Sequence, residues 1–335
     1  MTKPLRIGMA GFEGHPSEIL RGIEQTQGAC LVACGVDQQR IDPASLGDHA
    51  ALSRGTHLYD DWREMLEREE LNVLAVNLPF ARIWEAVYMG LEAGMHVMAE
   101  KPVATDWQTF GRLRKAALAG PGRLSALFTM RYLGGWQVIH DEVARGTIGR
   151  PLLAFAQKSY RWGERPDFYR QRETYGGTIP WIGVHAIDSV LWGTGLDCTA
   201  VAGFQGNGAH PDYPGCEDHV TLSLQLAGEA MASISCDFLR PGLAPSHGDD
   251  RLRVAGSEGV IEALDNGRRV SLLHNDRPPR ELEVPAQPQI FAEFLRAIQG
   301  EGGHRVTTAD VLRITELCLC ARDAADQGRV IATVG

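Results

Sequence analysis

The stretch from Tyr175 to Trp192 sets one histidine and one aspartate into an otherwise apolar run. Thr178 or Ile179 can precede a helix with Pro180 in its first turn, and Gly193 is placed to end it. At 100° per residue, Trp181, His185, Asp188 and Trp192 fall within about 60° of one another. Ile182, Val184, Ile187, Val190 and Leu191 cover the remaining surface. A helix apolar nearly all round is buried, so its narrow polar stripe needs partners. One reading is a structural histidine hydrogen-bonded to an aspartate. The other is an imidazole serving as general acid or base, oriented or charge-stabilised by Asp188. A second reactive group stands in Glu100-Lys101-Pro102. A lysine there can bind and polarise a hydroxyl or carbonyl oxygen, with its backbone held extended by Pro102.

The elements that must position these groups alternate in the first third of the chain. Leu5 to Ala10 is a short apolar run ending in Gly11-Phe12-Glu13-Gly14, after which Ile19, Leu20 and Ile23 recur at helical spacing. Ala29 to Val36 reads as a strand buried on both faces that closes on Asp37. Helix over 62–68, strand over 73–77, helix over 83–93, strand over 96–99 and helix over 107–118 follow. This order predicts a right-handed, doubly wound parallel sheet. Ligands bind such sheets beyond the carboxyl ends of the strands, so Gly11, Asp37, Asn77 with Leu78 and Pro79, and Glu100 with Lys101 are expected at one crevice.

A glycine turn between strand and helix lets backbone amides approach a pyrophosphate, which assigns Gly11, Phe12, Glu13 and Gly14 to a dinucleotide. The fingerprint is imperfect, because Glu13 stands at its second glycine position; a purely structural strand-to-helix turn is the alternative. Asp37, 26 residues after Gly11, can accept both ribose hydroxyls and repel a 2′-phosphate. No arginine immediately follows it, so NAD is expected and NADP is less favoured. Lys101 then falls where the nicotinamide should lie.

The texture changes near Pro121-Gly122, giving expected domains of 1–122 and 123–335. Val220, Leu222, Leu224 and Leu226 alternate with Thr221, Ser223 and Gln225, and Ala232, Ile234, Cys236 and Phe238 with Ser233, Ser235 and Asp237. Ala227-Gly228-Glu229 joins the two as a hairpin, so an antiparallel sheet with one buried and one small polar face is predicted. That polar face invites a second copy, hence a homodimer or homotetramer. Later, Ile290, Phe291, Phe294, Leu295 and Ile298 mark an amphipathic helix, and Thr307 with Asp310 starts the last one. The segment 159–175 mixes Tyr160, Trp162, Phe168, Tyr169 and Tyr175 with Arg161, Arg165, Arg170 and Arg172 and has no apolar period. It reads as a substrate-binding loop or an oligomer arm.

Composition narrows the field. Hydrophobic residues at 44% and charged residues at 22% of 335 leave ample material for a core, so disorder is excluded for the bulk. Against 42 Asp and Glu, 33 Lys and Arg leave a charge of −9 that disfavours nucleic acid. The longest apolar run, Ala29 to Cys34, is too short for a membrane span, and Gly8, Gly11 and Glu13 interrupt any secretory core. Seven cysteines without a C-x-x-C pair fit a reducing, cytoplasmic setting. Around Cys216 to His219 and Ser246 to Asp250 the spacing is not diagnostic, and no metal is expected.

The order of Gly11, Asp37, Glu100-Lys101-Pro102, Arg131-Tyr132, Gly146-Thr-Ile-Gly149, Gly176-Gly177 with His185 and Asp188, and Gly256-Ser-Glu-Gly259 resembles the glucose-fructose oxidoreductase, inositol dehydrogenase and MocA-like family throughout its length. The resemblance implies an α/β architecture. A Rossmann domain would be followed by an α+β domain with a large open, mainly antiparallel sheet. It also implies hydride transfer between NAD(P) and a sugar, inositol or related polyol or ketone. Lys101 and His185 match the family's catalytic lysine and histidine, and Arg131, Tyr160, Arg161, Trp162, Trp181 and His185 are the residues expected to meet the sugar-like substrate. Two departures stand out: Trp181 occupies the usual aspartate position, and Asn77-Leu-Pro-Phe-Ala-Arg-Ile83 lacks a histidine. Trp181 cannot share a proton with a hydroxyl, but it can stack on a sugar's C–H face. Enzymes that retain NAD and oxidise a sugar transiently around an elimination or glycoside cleavage, and non-catalytic NAD-bound sensors, are the alternatives.

Overall fold

Short runs of β-branched and small apolar residues punctuated by glycine turns favour strands buried on both faces, and they build the first sheet. A computed structural model describes residues 3–37 and 55–333. The chain divides into two units, Met1–Leu127 with Pro288–Arg313 and Phe128–Gln287 with Ile314–Gly335. In the first, β1 (Leu5–Ala10), β2 (Ala29–Gly35), β3 (His57–Tyr59), β4 (Val73–Val76), β5 (His96–Ala99) and β6 (Leu124–Ala126) pair in the order β3-β2-β1-β4-β5-β6. Every pairing is parallel, as the alternation with helices predicts. The helices are α1 (Pro16–Glu24), α2 (Trp62–Arg68), α3 (Phe80–Glu92) and α4 (Trp107–Ala119). Asp61 caps α2 by accepting from the Arg63 amide and Asp106 caps α4 by accepting from the Thr109 amide, each contributing about 1 kcal/mol.

The expected boundary at residue 122 is corrected by this sheet. Pro121-Gly122 is the turn that delivers β6, the sixth strand, so the first unit continues to Leu127. A Cβ on Gly122 would lie 2.1 Å from the Met95 carbonyl oxygen, a backbone approach that only glycine permits. A glycine and a proline thus signal a close turn here, not a linker.

The second unit holds α5 (Gly134–Ala144), β7 (Pro151–Arg161), α6 (Arg172–Tyr175), α7 (Val184–Thr194) and strands β8 (Cys198–Gly206), β9 (His219–Leu226), β10 (Met231–Arg240), β11 (Gly248–Gly256), β12 (Gly259–Leu264), β13 (Arg269–His274) and β14 (Arg277–Leu282). The chain continues through α8 (Ile290–Ile298) and α9 (Thr308–Gln327) to β15 (Ile331–Ala332). The nine-stranded sheet runs β14-β13-β12-β11-β7-β10-β9-β8-β15. Only β7 and β10 pair in parallel. β9 and β10 form the expected hairpin around 227–229, with Val220, Leu222, Leu224 and Leu226 buried and their neighbours exposed. The buried phase packs under α7, while the other phase presents Thr221, Ser223 and Ser233 together with exposed Leu153, Phe204 and Met231.

The amphipathic α8 returns to the first unit, which the sequence pattern did not reveal. Its Ile290, Phe291, Phe294 and Leu295 are essentially fully buried, worth roughly 1.5–3 kcal/mol each in transfer terms. A Cβ on Gly22 of α1 would meet the Phe291 Cβ at 2.5 Å, so that glycine admits α8. The start of α9 is the reciprocal cap expected: the Thr307 amide donates to Asp310 Oδ2 at 3.0 Å and the Asp310 amide to Thr307 Oγ1 at 3.2 Å. Among the described residues no helix is long and apolar enough to cross a membrane.

Candidate active site

In the first unit the glycine turn is shaped by what lies beneath it. Gly11 and Gly14 have φ of 79° and 73°. A Cβ on Gly11 would sit 2.2 Å from the Asn77 carbonyl oxygen, and one on Gly14 would sit 2.2 Å from Glu100 Oε2. Asn77 clamps the turn, because its carbonyl accepts from the Glu13 amide at 2.7 Å and its Nδ2 donates to the Glu13 carbonyl at 2.9 Å. Asn77 Oδ1 is buried with no partner among the described residues. The amides of Phe12 and Gly14 likewise meet no protein acceptor among the described residues. Free amides on a glycine turn ahead of α1 fit a pyrophosphate. Burial raises the carboxyl of Glu13 beside them above its ordinary value.

Glu100, expected at the cofactor, braces the glycine turn from within. It is wholly buried and accepts from the His15 amide at 2.8 Å, the His15 imidazole at 2.7 Å and the Lys101 amide at 2.9 Å. Burial alone would raise its carboxyl; the neighbouring His15 and Lys101 charges and hydrogen bonds reverse this and hold it below the ordinary value. Leu78, also buried, packs under Gly11. Pro79 stands at the start of α3 and is partly exposed. Lys101 is 2% exposed, with Nζ 4.0 Å from Glu100 Oε1.

Asp37, two residues beyond β2, is met by two arginines that the sequence reading did not single out. Arg82 Nη1 lies 2.9 Å from Asp37 Oδ2, and Arg63 Nη1 lies 3.5 Å from Oδ1. Arg63 in turn grips Glu85 through Nη2 at 2.8 Å to both carboxylate oxygens and reaches Asp61 at 3.4 Å. Both arginines sit in the first turns of helices that follow parallel strands, the position from which a side chain reaches the carboxyl edge of the sheet. The residue after Asp37, Gln38, lies outside the described residues.

In the second unit the predicted helix begins with a π-turn over Ile179–Gly183 and continues as α7 to Thr194. The expected stop at Gly193 is corrected to Gly195, whose φ of 69° gives the left-handed C-cap. Pro180 fits the first turn, where its missing amide costs nothing. Trp181, His185 and Asp188 are 8%, 3% and 0% exposed. Asp188 is gripped by an arginine from a distant part of the chain. Arg131 Nε lies 3.1 and 3.0 Å from its two oxygens and Arg131 Nη2 lies 2.6 Å from Oδ1. Through this buried pair Arg131, expected at the substrate and 2% exposed, braces α7. The His185 carbonyl accepts from Ser189 Oγ at 2.6 Å, and Ser189 Oγ accepts from the Trp136 indole at 2.9 Å, so the helix is fixed from a second side.

Of the other expected substrate residues, Tyr160 stacks on His247 at 5.1 Å and Trp162 on His210 at 3.8 Å. Arg165 lies 4.6 Å from the Phe238 ring centroid and 5.5 Å from that of Trp162. Trp162 is thus built into an aromatic box. The Arg161 guanidinium forms no ion pair among the described residues, and its Nε is buried without a partner. Sequence reasoning missed Lys158, 2% exposed, whose Nζ lies 2.6 Å from Asp250 Oδ2. Burial pulls this ammonium down, but Tyr160 and Asp250 outweigh it and hold it above its ordinary value. The signal was available: Lys158 shares the buried phase of β7 with Ala154 and Ala156. Asp218 is also buried, between His210 at 3.1 Å and His219 at 2.6 Å, and organises the loop after β8. Among the described residues no group of three or more His, Cys, Asp or Glu side chains is placed to hold a metal.

Two family models match the chain: the oxidoreductase family with NAD-binding Rossmann fold over residues 5–126, and the GFO/IDH/MocA C-terminal domain over residues 136–262. The chain therefore belongs to the GFO/IDH/MocA family of oxidoreductases. It is similar to a structure of a putative oxidoreductase from Thermotoga maritima, with 33% identity, a TM-score of 0.92, and coverage of 98% of this chain and 100% of that one. Among curated relatives, inositol 2-dehydrogenase 4 of Saccharopolyspora erythraea is 26% identical over 71% of this chain and 69% of its own length. The scyllo-inositol 2-dehydrogenase (NADP(+)) of Bacillus subtilis is 23% identical over 74% of each.

Proposed function

We propose that this oxidoreductase transfers hydride between NAD and a sugar, an inositol or a related polyol or its ketone. The observation that carries the reading is the burial of the Lys101 ammonium at the carboxyl end of β5, where this topology puts the reactive end of a dinucleotide. Bound NAD supplies the hydride acceptor. Lys101 binds and polarises the substrate oxygen, lowering the cost of negative charge on it. His185 exchanges the proton of that oxygen. Arg131 and Asp188 keep the His185 helix in place, and Trp181 offers an aromatic face to the C–H face of the sugar. The names of the inositol dehydrogenase relatives support this substrate class.

The cofactor reading rests on Asp37 as the acceptor for ribose hydroxyls. Three carboxylates, Asp37, Asp61 and Glu85, surround two guanidiniums there, so a 2′-phosphate meets excess negative charge and NAD is favoured over NADP. The open face of the nine-stranded sheet, with Leu153, Phe204 and Met231 exposed among small polar groups, supports assembly into a homodimer or homotetramer.

The test is a screen of NAD reduction over sugars, inositols and uronic acids with purified protein. Stoichiometric NADH formed by one substrate class supports the dehydrogenase reading. NAD retained tightly with no net reduction, while a glycoside is cleaved, would replace it with transient oxidation around an elimination. Retention with no chemistry would make the protein a sensor.

A further inference from the structure

Arg63 and Arg82 carry the functional group best suited to a phosphate, a planar cationic fork, yet both are spent on carboxylates. Arg63 uses Nη2 at 2.8 Å to each oxygen of Glu85 and Nε at 3.2 Å to one of them. Its remaining terminus reaches Asp61 at 3.4 Å and Asp37 at 3.5 Å. Arg82 lies on the same helix three residues before Glu85; it holds Asp37 at 2.9 Å and comes within 3.6 Å of Glu85. Burial would pull the Arg63 guanidinium down, but the hydrogen bonds and charges of Glu85 and Asp61 outweigh it and hold it above its ordinary value.

We propose that Glu85, assisted by Asp61, sets the cofactor preference by locking Arg63 and Arg82 into carboxylate pairs, so that neither is offered to a ribose 2′-phosphate. This rests on the reading of Asp37 as the ribose acceptor. At this edge of a dinucleotide-binding sheet an aspartate selects a ribose diol and a nearby arginine admits a 2′-phosphate. The chain has both kinds of residue in one cluster, and the second carboxylate on α3 decides which of them acts. With Glu85 neutral, Arg63 loses its bidentate partner, the excess negative charge disappears, and a phosphate can take the fork that Glu85 held. The ribose diol of NADH needs only Asp37 and is indifferent to the change.

The experiment is titration of the full-length protein, without substrate, with NADH and with NADPH, read by calorimetry or nicotinamide fluorescence. Glu85→Gln keeps the shape of the side chain and should tighten NADPH about tenfold, a Coulombic gain near a partly exposed site that shrinks as salt is raised. NADH should change less than about twofold. Asp61→Asn, which retains an oxygen to cap α2, should move NADPH in the same direction by a smaller factor. Adding Arg63→Gln to Glu85→Gln should abolish the gain. An unchanged NADPH to NADH ratio in both Glu85→Gln and Asp61→Asn, or a gain that survives Arg63→Gln, overturns the lock. Asp37→Ala separates the two ideas. If it narrows the preference for NADH while Glu85→Gln is silent, only the lock fails; if it leaves both affinities unchanged, the ribose assignment fails with it.

Discussion

Arg131 closes on Asp188 through both Nε and Nη2, one helical turn from His185, in a pair that is 2% and 0% exposed. Removing one partner leaves the other charge buried without its counterion, so Asp188→Ala should destabilise the protein by about 3–5 kcal/mol. The paired substitution Arg131→Met with Asp188→Leu should recover most of that loss. Chemical denaturation of the two variants checks this. A loss of under about 1 kcal/mol in Asp188→Ala would show that the pair does not hold α7.

Lys101 and His185 carry the chemistry proposed above. Lys101→Ala and His185→Ala should each lower turnover by about two to four decades, with little change in NADH affinity. Steady-state rates alongside NADH titration separate these effects. Full turnover in His185→Ala, or a stability loss that accounts for the whole defect, makes the histidine a core residue.

Trp181 is expected to act on binding. Trp181→Ala should raise KM and leave kcat nearly constant, since an aromatic platform serves ground and transition states alike. A fall in kcat with unchanged KM contradicts the platform. Trp181→Asp supplies the residue more usual at this position, and a broader substrate range is the expected outcome.

Glu100 predicts a pH dependence of stability. Its carboxyl is held below the ordinary value in the folded protein, so its contribution is present above the unfolded-state value and is lost as pH falls through the folded one. Glu100→Gln should therefore be less stable than the parent near neutrality and lose less stability on acidification. Denaturation midpoints across the acidic range measure this; parallel profiles for the two proteins would remove Glu100 as the brace of the glycine turn.

The open sheet face gives the assembly prediction. Light scattering at micromolar concentration should show a dimer or tetramer, and Phe204→Glu with Met231→Glu should shift it toward monomer without unfolding. A parent protein that is monomeric under these conditions removes the claim.

The sheets and most helices were legible because their signals are local. Period-two alternation in β9 and β10, the strand and helix alternation to residue 119, and the Thr307–Asp310 cap depend on residues close in sequence. The partners of the site residues depend on contacts far apart in the chain. Asp188 pairs with Arg131, 57 positions away. Asp37 meets Arg82, 45 positions away. Glu100, which reads as a cofactor contact beside Lys101, turns under Gly14 and His15 because the turn leaves a space that a carboxylate fills. Lys158 was missed because its neighbours Ser159, Tyr160 and Arg161 look like a surface loop, although its place in the alternation marks it as buried.

Because α8 supplies Phe291, Phe294 and Leu295 to the unit that begins the chain, that unit is finished late in synthesis. Six parallel strands and four helices have left the ribosome long before the segment that fills the Gly22 notch on α1 and that ties Glu18 through Gln289 exists. Until then the surface of α1 that will receive α8 is bare and apolar. Truncation at residue 127 therefore yields a dinucleotide-binding fold with an uncovered flank, and isolating it intact requires residues 288–313 to be joined to it.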